Sequence, residues 1–267
     1  MSEQIKPVVI ITGAAGGLGS AMCQGMVAAG ATVLAVDLPG RFTGTLPSSC
    51  QLIEADITTE AGCEQVAIKA RQAGSDLVLV NNAGVGMQFI NPNFASKPTR
   101  FWELTVKQYR DAFDINTHAQ FQLARLLAPV MLKRGWGRII NVATSYATMQ
   151  LPGFVPYGPT KAAVEAATVI WAKDLAGSGV TANVLLPGGA ADTRMITDTA
   201  FFPDRSKLVP PQAMVGPLRF LSSRAADAIN GQRFVAQFWD PTLPEADNLK
   251  RSSAQAGWGD QPHAVGG

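Results

Sequence analysis

The stretch Pro7-Val8-Val9-Ile10-Ile11-Thr12-Gly13-Ala14-Ala15-Gly16-Gly17-Leu18-Gly19 joins a continuous apolar run to a glycine-rich turn, and Gly17 opens a segment of helical spacing that runs to Gly30. An uninterrupted apolar run of this length reads as a strand buried on both faces, the habit of parallel sheets. Glycines at a strand–helix junction permit a tight turn and let backbone N–H groups approach a pyrophosphate at the helix N-terminus. A plain flexible turn would use the same residues, so the surroundings decide between the two. The turn stands at the first strand–helix junction, and Asp37 ends the next strand, Thr32–Asp37, 24 residues after Gly13. An acid at that spacing meets the adenosine ribose hydroxyls. The expected dinucleotide is NAD, because a carboxylate accepts from a free 2′-hydroxyl and repels a 2′-phosphate. No Lys or Arg lies within the turn, Leu38 follows the acid, and Arg41 is the nearest cation that softens the discrimination.

The same alternation continues along the chain. Strands are expected at Gln51–Ala55, Asp76–Asn81, Arg138–Ala143, Val180–Leu186 and Gln232–Ala236. Helices are expected at Glu60–Ala73, over Thr105–Arg134 as two in succession, at Tyr157–Ala176 and at Pro211–Ser223. This pattern specifies an α/β fold: a doubly wound parallel sheet of Rossmann type, helices on both faces, in a single domain over residues 1–240. Phe89–Phe101 reads as a long loop. Residues 241–267, rich in Pro, Ala, Gly and polar side chains, read as a C-terminal tail.

Composition narrows the function. The chain has 267 residues, 47% hydrophobic and 16% charged. Folded as one body it buries roughly 75% of its unfolded surface and needs no disulfide or metal staple. Twenty-two Lys and Arg against 20 Asp and Glu leave a formal charge of +2. That balance gives no footprint for nucleic acid or an anionic membrane. No apolar run reaches the roughly 20 residues of a membrane span. Cys23, Cys50 and Cys63 are too scattered for a disulfide framework, and with only His118 and His263 no metal centre is expected. The polar start, Met1 to Pro7, is unlike a secretory signal. A cytoplasmic protein is expected.

Tyr157 and Lys161 are four apart at the start of a helix, so their side chains share one face. Tyrosine, with a free pKa of about 10, is a poor base at neutral pH. A nearby ammonium favours the phenolate. At about 4 Å and an effective dielectric of about 20 the attraction is about 4 kcal/mol. At about 1.4 kcal/mol per unit, a lowering of about two to three units is within reach. A Tyr-x-x-x-Lys spacing also arises by chance, but here other motifs accompany it. Asn141-Val142-Ala143-Thr144-Ser145 and Asn81-Asn82-Ala83-Gly84 each close a strand, where such sheets hold ligands, and Asn116 lies in the helical region between them.

In this combination the sequence resembles the short-chain dehydrogenase/reductase family, in its shorter branch of about 250 residues. The glycine turn, the Asn-Asn-Ala-Gly, the Tyr157-Gly158-Pro159-Thr160-Lys161 segment and the Leu186-Pro187-Gly188 turn fall in the family's order over about residues 6–236. The resemblance implies an oxidoreductase that moves a hydride between nicotinamide and a secondary alcohol or ketone. Tyr157 would be the general acid/base, Lys161 would lower its pKa and hold the nicotinamide ribose, and Asn116 would orient a water. Gly13, Gly16, Gly17, Leu18, Gly19, Asp37 and Leu38 would line the adenosine and pyrophosphate side. Asp56 and Ile57 would reach the adenine, Asn82, Ala83 and Gly84 the cofactor floor, and Pro187, Gly188 and Thr193 the nicotinamide. A homotetramer or homodimer is implied on the same ground.

This chain departs from the family pattern in places. The hydroxyl residue 13 positions before the tyrosine is usually serine; here it is Thr144, with Ser145 next, and either can serve. Thr193 lies one residue further from Pro187 than is commonest. Where the family often has Asp-Gly-Gly, the chain reads Phe238-Trp239-Asp240-Pro241. Phe89, Phe94, Phe101 and Trp102 either wall a substrate site or pack the loop. Phe201, Phe202, Val209 and Met214, in the Met195–Met214 region where the family keeps a substrate lid, suggest an apolar or cyclic substrate. His118 is expected as a partly buried helix residue outside the chemistry. Two other functions use the same scaffold: a cofactor-binding regulator without turnover, which needs no Tyr–Lys pair, and a sugar epimerase or dehydratase. The latter usually needs a larger C-terminal substrate domain than the 80 residues after Pro187 provide.

Overall fold

The computed structural model describes residues 6–44 and 46–258. His263 and the rest of residues 259–267, together with residues 1–5 of the polar start, lie outside the described residues. The chain runs β1 (Val8–Thr12), α1 (Gly17–Ala28), β2 (Thr32–Asp37), β3 (Gln51–Glu54), α2 (Glu60–Ala73) and β4 (Leu77–Asn81). It continues through α3 (Val106–Phe113), α4 (Ala119–Arg134), β5 (Gly137–Val142), α5 (Tyr146–Met149), α6 (Tyr157–Asp174) and β6 (Val180–Leu186). It ends with α7 (Val215–Leu221), β7 (Gln232–Val235), α8 (Glu245–Ser252) and β8 (Ser253–Gln255).

The sheet order is β3-β2-β1-β4-β5-β6-β7-β8, parallel throughout except that β8 runs antiparallel to β7. Alternation along β1 shows why its sequence is apolar without a break. Val8 and Ile10 enter one core with Val66 of α2 and Leu123 and Leu127 of α4. Val9 and Ile11 enter the other with Met22 and Met26 of α1 and Leu218 and Leu221 of α7. Strand order reverses between β1 and β4, which opens a crevice outside their carboxyl ends. The motifs picked out in the sequence follow those ends.

The two successive helices expected over Thr105–Arg134 are α3 and α4, joined directly by a π-helical turn, Asp114–His118. One feature differs from the expected outline. Residues 241–267 are not a tail throughout. α8 and β8 return the chain to the sheet, with Arg233 opposite Ala254 and Phe234 opposite Ser253. β7 would otherwise present an open edge of unpaired backbone groups, which β8 covers. Asn248, 1% exposed, fixes the return: its side chain accepts from the Asp240 N–H at 2.7 Å and donates to the Asp240 carbonyl at 2.8 Å. α8 and β8 are too short to show a period in the sequence.

Candidate active site

Close backbone approach accounts for the glycines of the first turn. Gly13 has φ +66°, and a Cβ there would lie 2.8 Å from the Ala83 Cα. At Gly19 a Cβ would lie 2.2 Å from the Gly13 carbonyl oxygen, so helix and strand are packed as tightly as backbones allow. Gly16 occupies the N-cap of α1, which therefore starts without a side-chain acceptor for its first N–H groups. An anion completes such a start, and a pyrophosphate fits it.

Asp37 reaches back to the turn. One carboxylate oxygen accepts from the Ala15 N–H at 2.9 Å and the other from the Leu38 N–H at 2.8 Å, while the Leu38 side chain is exposed. The Thr12 hydroxyl accepts from the N–H groups of Asn82 and Ala83, each at 3.0 Å, and Asn82 Nδ2 donates to the Thr12 carbonyl at 2.8 Å. The turn, Asp37 and the Asn82–Gly84 floor thus form one surface. Asp56 closes the turn into α2 by accepting from the Thr58 N–H and hydroxyl, at 3.0 and 2.6 Å. Ile57 buries its side chain in the core, which leaves only its backbone for a ligand.

The catalytic candidates meet next to that floor. The π turn aims Asn116, 0% exposed, inward. Its Nδ2 donates to the Val85 carbonyl at 2.9 Å and to the Thr160 hydroxyl at 3.0 Å, and its Oδ1 accepts from the Val85 N–H at 2.8 Å. Three of its four hydrogen-bonding positions are engaged, leaving one lone pair on Oδ1. Lys161 is buried and donates to the Val142 carbonyl at 2.8 Å. A Cβ on Gly84 would stand 3.0 Å from Asn116 Oδ1 and 3.6 Å from Lys161 Nζ.

Tyr157 is half-buried, with the Thr144 side chain beside its phenol. Desolvation pushes the phenol up and the Thr144 side chain pulls it down. Desolvation also brings Lys161 down to about 8. The ammonium stands 6.0 Å from the Tyr157 ring centroid, so it acts across a gap rather than in direct contact. Ser145 is occupied elsewhere: its hydroxyl caps α5, accepting from the Thr148 N–H at 3.1 Å.

Residues 188–209 fold over the glycine turn. Arg194 donates to the Ala15 carbonyl at 2.8 Å, and a Cβ on Gly17 would meet Thr193 Cγ2 at 2.8 Å. Thr193 Oγ1 accepts from the Met195 N–H at 3.3 Å. Gln237 holds the Pro187-Gly188 turn, donating from its backbone to Pro187 O at 3.0 Å and from its side chain to Gly188 O at 2.9 Å. Arg205 is spent on the lid itself, bonding Asp192 and the Thr193 and Ile196 carbonyls. Asp198, 1% exposed, clasps the lid to the Phe89–Phe101 region: it accepts from the Ala95 N–H at 3.0 Å and from the Ser96 N–H and hydroxyl at 2.7 and 2.8 Å. Those bonds, the Ser96 N–H first, hold its carboxyl below the usual aspartate range.

Aromatic rings link lid, loop and Tyr157. Phe202 lies 6.4 Å from Phe94, Phe94 5.9 Å from Phe154, and Phe154 6.5 Å from Tyr157, between centroids. Phe101 and Trp102 pair with each other at the surface, 68% and 70% exposed, and Phe89 is exposed as well. Met214 is in the core with α7 rather than in the lid. His118 is exposed, not partly buried, and pairs with Asp114 at 2.7 Å. Thr12, Thr160 and Gln237 were not legible as site residues: each works through a backbone or a neighbour rather than through a motif.

The profile of the family described as short chain dehydrogenase matches residues 7–200. Gluconate 5-dehydrogenase of Gluconobacter oxydans is 30% identical over 243 residues, which cover 84% of this chain and 90% of that protein. The crystal structure of a putative NAD(P)-dependent gluconate 5-dehydrogenase from Beutenbergia cavernae, with bound NADP at low occupancy, superposes with a TM-score of 0.74 at 27% identity, covering 86% of this chain and 94% of that one. That of 3-ketoacyl-(acyl-carrier-protein) reductase from Brucella melitensis complexed with NADH gives 0.73 at 27% identity, covering 84% and 93%.

Proposed function

Because the chain belongs to the short-chain dehydrogenase family of oxidoreductases, we propose that it uses NAD to interconvert a secondary alcohol and a ketone, with Tyr157 as general acid/base. The observation that carries this reading is the arrangement at the head of α6: Lys161, buried one helical turn from Tyr157, bonds the Val142 carbonyl, and Asn116 is held inward by Val85 and Thr160. NAD, when bound, supplies the hydride acceptor, and its reduced form the donor. The protein contributes position and protons. In reduction the Tyr157 hydroxyl gives its proton to the carbonyl oxygen while Thr144 donates a hydrogen bond to the same oxygen; in oxidation the phenolate takes the alcohol proton. Lys161 supplies the positive charge that favours the phenolate, and the free lone pair of Asn116 Oδ1 holds a water in the proton relay.

Gly13, Gly16, Gly17, Leu18, Gly19, Asp37, Leu38, Asp56, Asn82, Ala83, Gly84, Pro187, Gly188 and Thr193 would hold the cofactor, and Ile57 through its backbone. Asp37 would favour NAD, because a carboxylate at the end of β2 would accept from a free 2′-hydroxyl and repel a 2′-phosphate. The substrate is apolar or cyclic: Phe94, Phe154 and Phe202 run from the lid toward Tyr157, while the lid cations Arg194 and Arg205 are engaged with Ala15 and with the lid itself. A cytoplasmic homodimer or homotetramer completes the proposal, and light scattering would report its size. A regulator without turnover would not need the Asn116, Tyr157 and Lys161 set.

The test is a screen of secondary alcohols and ketones with NAD and NADP, followed by reduced-nicotinamide absorbance. Tyr157→Phe should lose at least about 10²-fold in turnover, the low end for a positioned acid/base group, with cofactor affinity little changed. Near-normal turnover in that variant, or no turnover of any substrate by the parent, would overturn the reading.

A further inference from the structure

Behind Thr144 lies a buried ionic cluster that the chemistry above leaves unused. Arg233 of β7 is 9% exposed and Glu165 of α6 is fully buried. Arg233 Nε donates to Glu165 Oε1 at 3.2 Å, and its Nη2 donates to the Thr144 carbonyl at 3.1 Å. The guanidinium carbon stands 3.7 Å from the Tyr146 ring centroid. The Tyr146 hydroxyl lies between Glu165 Oε1, at 2.8 Å, and the Gly257 carbonyl, and the Gly257 N–H donates to Glu165 Oε1 at 3.1 Å. Burial, then Glu165, pushes the Tyr146 phenol up and keeps it protonated.

Replacing a buried ion pair with apolar residues is often neutral or stabilising, so stability alone is a weak reason for this one. The position of Thr144 supplies another. β5 ends at Val142, the Ala143 N–H still bonds Leu185 at 3.0 Å, and α5 starts from the Ser145 cap. Thr144 is the joint between ladder and helix, and Arg233 occupies its carbonyl where the ladder has ended. The Thr144 side chain is β-branched, with few χ1 choices, so fixing its backbone fixes the direction of its hydroxyl. The planar fork reaches the carboxylate and the backbone carbonyl from two separate nitrogens, whereas a lysine ammonium offers its donors from a single point.

We propose that Arg233 is a positioning residue: its bond to the Thr144 carbonyl aims the Thr144 hydroxyl at Tyr157, and Glu165 holds the guanidinium in place. This rests on Thr144 being the hydroxyl partner of Tyr157, and the test separates the two. The full chain is labelled with tyrosine carrying 13C at Cζ, whose NMR shift reports hydrogen bonding at the phenol without any substrate. Of its three tyrosines, Tyr157 is assigned by the loss of its signal in Tyr157→Phe. Thr144→Ala should displace the Tyr157 signal; if it does not, the Thr144 reading fails and this proposal with it. Arg233→Lys should displace it in the same direction, and should add nothing once Thr144 is alanine. The loss of turnover from Arg233→Lys, about tenfold or more for a small misplacement, should also vanish in the Thr144→Ala background. A Tyr157 signal unmoved by Arg233→Lys, or moved equally in both backgrounds, would overturn the proposal. Should Arg233→Lys lose its fold by circular dichroism, Glu165→Gln serves instead: it should move the signal the same way but less, and an unmoved signal counts against the proposal.

Discussion

The two sides of the crevice are built differently. On the side proposed for the cofactor, around β1, β2 and β4, close contact is between backbones: glycines let chain segments touch, and Thr12 and Asp37 bond to main-chain N–H groups. On the side proposed for the substrate, side chains span the gap, as when Asp198 takes the Ser96 hydroxyl 102 residues earlier. Backbone geometry dictated by a strand and its turn constrains residue type at fixed offsets. A side chain bridging two loops constrains only one residue at each end. The first kind of site is therefore set by main-chain geometry, and the second by single side-chain pairs.

Thr144 is where the two constructions meet, and the largest effect within this comparison is expected there. Its side chain lies beside Tyr157, whereas the Ser145 hydroxyl is bonded to the Thr148 N–H. Removing one donor to a developing oxyanion costs roughly 3–4 kcal/mol, about 10²- to 10³-fold in turnover. Thr144→Ala should lose most of that, and Thr144→Ser little. Ser145→Ala should instead lower the melting temperature modestly, since a lost N-cap costs about 1 kcal/mol. Turnover that falls further in Ser145→Ala than in Thr144→Ala would hand the role to Ser145.

A smaller effect is expected at Asp37, and it tests the backbone-built side. Its carboxylate is oriented at the end of β2 by the Ala15 and Leu38 N–H groups. A hydrogen bond to a charged group contributes about 1.5–3 kcal/mol. Asp37→Ala should therefore narrow or reverse the preference for NAD over NADP, measured as a ratio of kcat/KM, by about ten- to a hundredfold. Equal efficiency with both cofactors in the unmutated chain would break the assignment.

The same contrast sets what the sequence revealed. β2, α2 and β6 match the expected bounds residue for residue, because each is a run whose period or apolar continuity lies within one short window. The glycine turn, Asp37, Tyr157 and Lys161 are legible for the same reason. The choice between Thr144 and Ser145 was not, since it depends on where β5 stops and α5 is capped, a matter of one residue. Arg233 stands as the one charge in the strand Gln232-Arg233-Phe234-Val235, a visible oddity whose partners, Glu165 and Thr144, lie 68 and 89 residues away. Of the loop aromatics, Phe94 packs between Phe154 and Phe202, while Phe101 and Trp102 face outward. Composition cannot separate a wall from a surface pair.

The smallest effect is expected at the lid clasp. Asp198 accepts three bonds on Oδ2, from the Ala95 N–H and the Ser96 N–H and hydroxyl, and one on Oδ1, from the Phe201 N–H at 3.2 Å. An asparagine must point its own N–H₂ at one of these donor sets, so Asp198→Asn loses at least one bond whichever way the amide turns. The lid should open more often, giving a several-fold rise in KM for substrate with kcat little changed, because Asp198 touches no catalytic group. The sign of the pH dependence follows from the lowered carboxyl. A group whose pKa is depressed in the folded state contributes fully above its ordinary value, about 4, and its contribution fades as pH falls through the lower folded value. KM of the parent should stay level from neutral pH down through that ordinary value and climb only below it, while KM of Asp198→Asn should already be high at neutral pH and carry no such step. Identical KM profiles for the two proteins would show that the lid is held by its rings and backbone rather than by a single side-chain pair.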